Sequence, residues 1–259
     1  MDFNAAQLLI AIFAFMVGGA IGGLGGIFGV GAGVIAIPTL AILFGMYQQL
    51  AQGTALLMML PNVLIAFWRY WQRNRFSLQS AVWIGLTTIV ATYPTARVAI
   101  LLDPRLLKLA FAGFLLLLTL HSLYINRSNA VASHVVAHWD DRYLPLVGVL
   151  GGVIAGLFAS GAGVIAATIF ATGFGKRQTV AQGLALALIV PGTIAALTGY
   201  AQAGQVNWQL GLPLALGAVT TVSWGVALAH RLPERTLRNL FAFLMFATSL
   251  LIFLQELRR

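Results

Sequence analysis

The hexapeptide Gly-Ala-Gly-Val-Ile-Ala occurs twice in this chain, at 31–36 and at 161–166, and each copy closes an apolar, glycine-rich run. The first run is Gly22-Gly23-Leu24-Gly25-Gly26-Ile27-Phe28-Gly29-Val30. The second, Gly152-Val153-Ile154-Ala155-Gly156-Leu157-Phe158-Ala159-Ser160, stands 130 residues later. Glycine weakens a helix by roughly 0.5–1 kcal/mol relative to alanine, so each run predicts a break. The surroundings decide which breaks are tolerable. Of the 259 residues, 60% are hydrophobic and 8% charged, against about 25% charged in a soluble domain. The chain is therefore expected in a lipid bilayer, where broken backbone survives only when protein buries it or it lines a cavity.

Spanning the hydrocarbon takes about 20 residues of helix, and five apolar segments are expected in each half. They run over 5–27, 33–46, 50–71, 78–102 and 105–125, then over 143–159, 163–173, 180–203, 208–229 and 234–254. The second segment of each half is short. At 1.5 Å per residue the stretch 33–46 reaches only about 21 Å. A polar stretch over 126–142 reads as a linker between a first transmembrane repeat, 1–125, and a second, 143–259. The apolar run after Met1-Asp2-Phe3-Asn4 lacks a preceding basic region and is too long for a signal peptide, so it is expected to stay as a helix.

The halves align without a gap. Ala51-Gln52-Gly53 matches Ala181-Gln182-Gly183, Pro61 matches Pro191, Tyr70 matches Tyr200 and Arg105 matches Arg235. Glycine, glutamine and proline held in register over this length identify an internal duplication. The charges orient it, because Lys and Arg collect in cytoplasmic loops. Arg69, Arg73 and Arg75 lie at the end of the third segment, whereas the matching loop 202–207 is uncharged. Lys176 and Arg177 precede the eighth segment, whereas the matching loop 45–50 is uncharged. The bias inverts between halves and places the N-terminus outside. The expected fold is an all-α polytopic membrane protein of two inverted-topology repeats, each with an odd number of net crossings. Each repeat combines a glycine-broken short helix, or a re-entrant pair, with three spanning helices.

Composition also removes several functions. The net charge of +9 forms no basic face, since the arginines sit between apolar segments, so nucleic acid is not an expected partner. Cysteine is absent, which excludes disulfide and thiolate chemistry. The six acidic residues lie at segment ends or in loops, leaving no intramembrane acid–base or nucleophilic apparatus. No enzyme activity and no cofactor are expected. His134 and His138 have helical metal-pair spacing, but nothing else supports a metal site. A Gly-x-Gly-x-x-Gly string is present without the strand that a dinucleotide site needs.

The glycine run followed by Gly31-Ala32-Gly33, the Ala51-Gln52-Gly53-Thr54-Ala55-Leu56 opening of the third segment, and Pro61-Asn62 together resemble the TauE/SafE family of membrane transporters. The junction Arg231-Leu232-Pro233-Glu234-Arg235-Thr236-Leu237-Arg238 is similar to the family's lead into its last helix. The resemblance covers nearly the whole chain. It implies export of sulfite, sulfoacetate or a related organosulfur anion, and residence in a bacterial inner membrane. Thr168 departs from the pattern by standing where Pro38 stands in the first half.

The candidate site follows from the glycine breaks. A short helix that begins inside the membrane presents free N–H groups and a positive dipole end. Two such ends, related by an inverted repeat, would face each other and suit an anion. Gly31, Gly33, Gly161 and Gly163, with Ser160 in the second turn, are the expected backbone site. Gln52, Gln182, Thr54, Asn62 and Thr193 are polar groups within the apolar segments, with interhelical hydrogen bonding as their structural alternative. Arg97, well inside an apolar segment, either closes an anion path or snorkels to the interface. Gly18, Gly22, Gly148 and Gly152 suit close helix packing. Trp68, Tyr70 and Trp71 beside arginines suit an interfacial anchor. The expected function is a secondary transporter exporting a small anion by alternating access, with a passive anion channel as the alternative. The bilayer is its other partner, and a homodimer is left open.

Overall fold

Within the stretches that the computed structural model describes, residues 5–28, 33–73, 77–127, 139–160, 162–229 and 234–257, every expected apolar segment is a helix. They are α1 (Ala5–Phe28), α2 (Gly33–Leu43), α3 (Gln48–Arg73), α4 (Leu78–Leu101) and α5 (Pro104–Arg127). After a short 3₁₀ turn at Asp141–Tyr143 come α6 (Leu144–Phe158), α7 (Ala162–Thr172), α8 (Gln178–Gln202), α9 (Trp208–Ala229) and α10 (Glu234–Leu257). Among the described residues seven stretches are long and apolar enough to cross a membrane, lying in α1, α3, α4, α5, α8 and α10 and in α6 together with the 3₁₀ turn before it. The apolar helices α2 and α7 have 11 residues each. Helix α5 continues to Arg127, two residues into the expected linker. The linker's His134 and His138 lie outside the described residues.

Polar residues start the helices where the hydrophobic pattern begins. Asp103 Oδ1 accepts the backbone N–H groups of Arg105 and Leu106 at 2.8 and 3.2 Å, capping α5. Asn207 Oδ1 accepts from Leu210 N at 3.1 Å and caps α9. Such caps satisfy donors that a helix start leaves open.

Small residues then decide which helices meet. A Cβ added at Gly18 would collide with the Leu214 backbone, and one at Gly22 with that of Ala218, so α1 lies directly on α9. Gly148, Gly152 and Gly156 hold α6 against Ile84, Thr88 and Thr92 of α4 in the same way. Four-residue spacing of small side chains lets backbones approach and gain dispersion contacts where lipid supplies no hydrophobic force. Threonine hydroxyls add cross-helix bonds, Thr221 Oγ1 to Gly19 O at 2.6 Å and Thr88 Oγ1 to Gly148 O at 3.2 Å. The helix that opens each half thus packs on the fourth helix of the other half.

Helix directions follow from the pairs. The neighbours Gly18–Leu214 and Gly22–Ala218 advance together, so α1 and α9 are parallel, and the α4–α6 pairs advance in the same way. Thr54 near Asn207 and Arg69 near Ser223 make α3 parallel to α9. Helix α4 is parallel to α8, with Gly85 beside Pro191 and Tyr93 bonded to Gln202. Helices α3 and α8 are antiparallel, because Gln52 meets Tyr200 while Tyr70 meets Gln182. Hence α1, α3 and α9 point one way, and α4, α6 and α8 the other. One buried cluster draws Ile37, Met58 and Phe111 together with Tyr200, Leu214 and Met245, so the halves share a core. Helices α5 and α10 close one side through Ser249 Oγ donating to Ala112 O at 2.9 Å. At its end Glu256, 5% exposed, receives Arg105 at 3.0 Å and Lys108 at 2.9 Å.

Candidate functional site

The α6–α7 break begins at Ala159, which takes a left-handed conformation with φ 54° and still donates to Ala155 O at 2.9 Å. A side chain in that region costs roughly 1–2 kcal/mol, and the equivalent residue of the first half is Gly29. Ser160 follows and α7 starts at Ala162. Gly33 starts α2 beside it: a Cβ added there would stand 2.6 Å from Met59 Sδ and 2.9 Å from Ser160 Oγ. Both short helices therefore begin close together. Met59 lies midway along α3, and Ile189, which packs on Gly163, lies midway along α8.

A cavity of about 20 Å³ occupies this meeting point, which is room for about one water molecule. Its polar side is Ser160, Thr193 and the first residues of α7, Ala162 and Gly163. Its apolar side is Leu56, Met59, Ile189, Ala155 and Ala159. Ser160 is 5% and Thr193 4% exposed. Ser160 Oγ has no hydrogen-bond partner among the described residues. A buried hydroxyl left in that state costs about 1–3 kcal/mol, which fits a group kept for a ligand. N–H groups and partial positive charge at a helix start add to it.

The cavity gathers Ser160, Gly163 and Thr193, with Gly33 against its wall. Gly31 and Gly161 lie outside the described residues. Asn62 follows Met59 by one turn, and its buried Oδ1 also lacks a partner among the described residues. The other expected residues stand elsewhere. Gln52 is fully buried, donates through Nε2 to Leu157 O at 3.3 Å and accepts the Tyr200 hydroxyl through Oε1 at 2.6 Å. Gln182 accepts the Tyr70 hydroxyl at 2.6 Å. Thr54 Oγ1 accepts Asn207 N at 3.1 Å and fixes the turn before α9. Arg97 is exposed on α4 and does not line the cavity.

Two features escape a reading of the sequence. Tyr70 stands among the expected anchor residues, yet only Trp68 and Trp71 are exposed, and Tyr70 turns inward to Gln182. The Tyr–Gln pairs are register equivalents, separated along α3 by five turns, about 27 Å. The register match of Tyr70 with Tyr200 and of Gln52 with Gln182 was the available signal. Leu56, Met59 and Ile189 gave none, being ordinary residues of apolar helices.

Residues 14–252 match the family described as Sulfite exporter TauE/SafE. A probable membrane transporter protein of Methanocaldococcus jannaschii is 23% identical, across 92% of this chain and 93% of its own length. One of Xylella fastidiosa is 25% identical, across 91% and 92%. No solved structure matches significantly.

Proposed function

The chain belongs to the TauE/SafE sulfite exporter family, and on that premise we propose that it is a secondary transporter that exports a small anion by alternating access. It is a multi-pass membrane protein of a transporter family, not an enzyme. Sulfite, or an organosulfonate such as sulfoacetate, is the proposed cargo. The observation that carries this reading is the buried Ser160 hydroxyl between the starts of α2 and α7, which has no hydrogen-bond partner among the described residues. Gly31, Gly33, Gly161, Gly163, Ser160 and Thr193 form the proposed binding site, with Asn62 one turn away. Gln52 and Gln182 act on it from either end as partners of the two tyrosines.

The opposed directions of α3 and α8 support an inverted-repeat arrangement, as do those of α1 and α6. In that arrangement α1–α2 and α6–α7 are helix pairs broken at depth in the membrane, and the other three helices of each half cross. The geometry follows a common transporter plan, with helices broken at a central site. A cavity with room for about one water supports an occluded state, from which either side must open to admit an anion.

A passive channel is the competing reading, and the small cavity between two hydrogen-bonded latches favours a carrier. Purified protein in liposomes separates them. Efflux of sulfite, sulfoacetate, taurine, sulfate and small carboxylates is compared with protein-free liposomes. A saturable flux selective for sulfur-containing anions, without unitary currents in planar bilayers, is the expected outcome. Discrete single-channel currents would establish the channel, and the absence of flux for every anion would remove the transport reading.

A further inference from the structure

We infer that the two Tyr–Gln latches are the gates of the carrier, opened one at a time about prolines midway between them, an inference that rests on the transporter reading above. Helices α3 and α8 wall the cavity, through Leu56 and Met59 of one and Ile189 and Thr193 of the other. Being antiparallel, they are joined twice. Gln52 of α3 accepts from Tyr200 of α8, and Gln182 of α8 accepts from Tyr70 of α3, each at 2.6 Å. Met59 follows Gln52 by seven residues, and Ile189 follows Gln182 by seven, about 11 Å of helix in each case. The cavity therefore lies between the latches. An anion leaving it along the α3–α8 seam, toward either face, has to pass one of them.

The hinges lie in the same two helices. Pro61 stands inside α3 and Pro191 inside α8. Each is nine residues from the latch residue on either side, since Gln52, Pro61 and Tyr70 repeat the spacing of Gln182, Pro191 and Tyr200. A proline inside a helix removes the hydrogen bond to the residue four earlier, here Leu57 and Ala187, and marks where a helix bends. Bending at that level parts α3 from α8 at one end while the latch at the other end holds. One neutral hydrogen bond biases such an equilibrium by about threefold to tenfold, enough to favour closure and little enough to break in every cycle.

The latches are not equally shut. Gln52 also donates to Leu157 O at 3.3 Å, and Tyr200 to Gly156 O at 3.4 Å, so their latch holds the last turn of α6 just before its break. Tyr200 and Gln52 are sealed, whereas Tyr70 and Gln182 are half-buried. Arg69 precedes Tyr70, and Lys176 and Arg177 precede the helix that carries Gln182, which assigns the half-buried latch to the cytoplasmic face. The molecule is shut more firmly on the outer side, as an exporter is when it loads from the cytoplasm.

The chain has no cysteine, so one introduced thiol reports on the cavity alone. Met59→Cys is placed in sealed vesicles, and its rate of modification by a membrane-impermeant, charged methanethiosulfonate is measured from each face. Leu56→Cys, on the same wall, repeats the measurement. Gln202→Cys, at the exposed end of α8 two residues beyond Tyr200, identifies the face on which the buried latch lies. With both latches intact, modification is expected to be faster from the face of Tyr70. Tyr200→Phe is expected to speed modification from the Gln202 face by about threefold to tenfold and to slow it from the other. Tyr70→Phe is expected to do the reverse, to a smaller extent, and decides the question by itself where Tyr200→Phe does not fold. Pro61→Ala is expected to slow modification from both faces. A bond that only holds the fold together would, when lost, raise the rate from both faces alike. Equal acceleration from both faces, no change in either tyrosine variant, or acceleration from the face of the intact latch would overturn the assignment, and saturable anion flux in the same vesicles would leave the transporter reading standing. Absence of flux for every anion in the panel above would remove the transporter reading itself.

Discussion

At Gly33 one hydrogen atom stands where any other residue would place carbon against both Met59 and Ser160. Gly33→Ala puts a methyl 2.6 Å from the methionine sulfur and 2.9 Å from the serine oxygen. Overpacking of this kind typically costs about 1–3 kcal/mol, and here it also fills the space between the helix starts. Flux per molecule of reconstituted protein is expected to fall more than about tenfold, with protein still in the membrane. Gly113 is the control, since a Cβ there meets nothing within 4 Å. Gly113→Ala is expected to transport normally and to gain up to about 1 kcal/mol in helix propensity. Normal flux in Gly33→Ala would separate this glycine from the substrate path. The glycine, serine and threonine of the cavity were legible in the sequence because polar and small residues are costly or weakening inside apolar helices. The apolar half of the cavity was not legible. Met59 and Ile189 obey the same hydrophobic pattern as lipid-facing neighbours, and only tertiary packing distinguishes them.

Among the elements, α3 and α8 form the axis of the molecule, with one Tyr–Gln latch at each end. The latches are alike in length, 2.6 Å each, and unlike in surroundings. Tyr200 and Gln52 are both fully buried, whereas Tyr70 and Gln182 are half-buried. Tyr200→Phe leaves Gln52 Oε1 sealed from water without the hydroxyl it accepts, a loss of about 1–3 kcal/mol. The same change at Tyr70 leaves an amide that solvent reaches more readily, so its loss is smaller. Melting of the detergent-solubilised variants is expected to fall further for Tyr200→Phe than for Tyr70→Phe. The reverse order would mean that burial does not set the strength of the latches. Helix existence and order were readable because ten apolar segments, glycine punctuation and caps all agree. Helix partnership was only half readable. Glycines four residues apart mark a packing face, yet nothing in Gly18 and Gly22 names Leu214 and Ala218 as the backbones they touch.

The whole molecule sets the energetics of transport through where its charges lie. The sequence contains six acidic residues, Asp2, Asp103, Asp140, Asp141, Glu234 and Glu256. Asp103 lies in the turn between α4 and α5, and Asp140 and Asp141 precede α6. Glu234 is the first residue of α10. Glu256 sits in its last turn, engaged by Arg105 and Lys108. Proton-coupled carriers commonly keep a carboxylate at membrane depth, because an ionisable group there is costly and marks a relay. Among the described residues the carboxylates lie at helix ends and in turns, and an exporter of anions does not require one deeper. With the cell interior negative, moving one negative charge outward is favourable by about 2.3 kcal/mol per 100 mV, or about 3.5 kcal/mol at roughly 150 mV. Since 1.4 kcal/mol is a factor of ten, that sustains a gradient of a few hundredfold. Electrogenic export is therefore expected, with no need for sodium or an inward proton gradient. Efflux from proteoliposomes is measured under a potassium diffusion potential set with valinomycin, at equal pH on both sides and without sodium. The rate is expected to rise as the interior is made more negative and to fall when the potential is reversed. Efflux indifferent to the potential but driven by a pH gradient would show that another group, or the substrate itself, carries a coupled proton across.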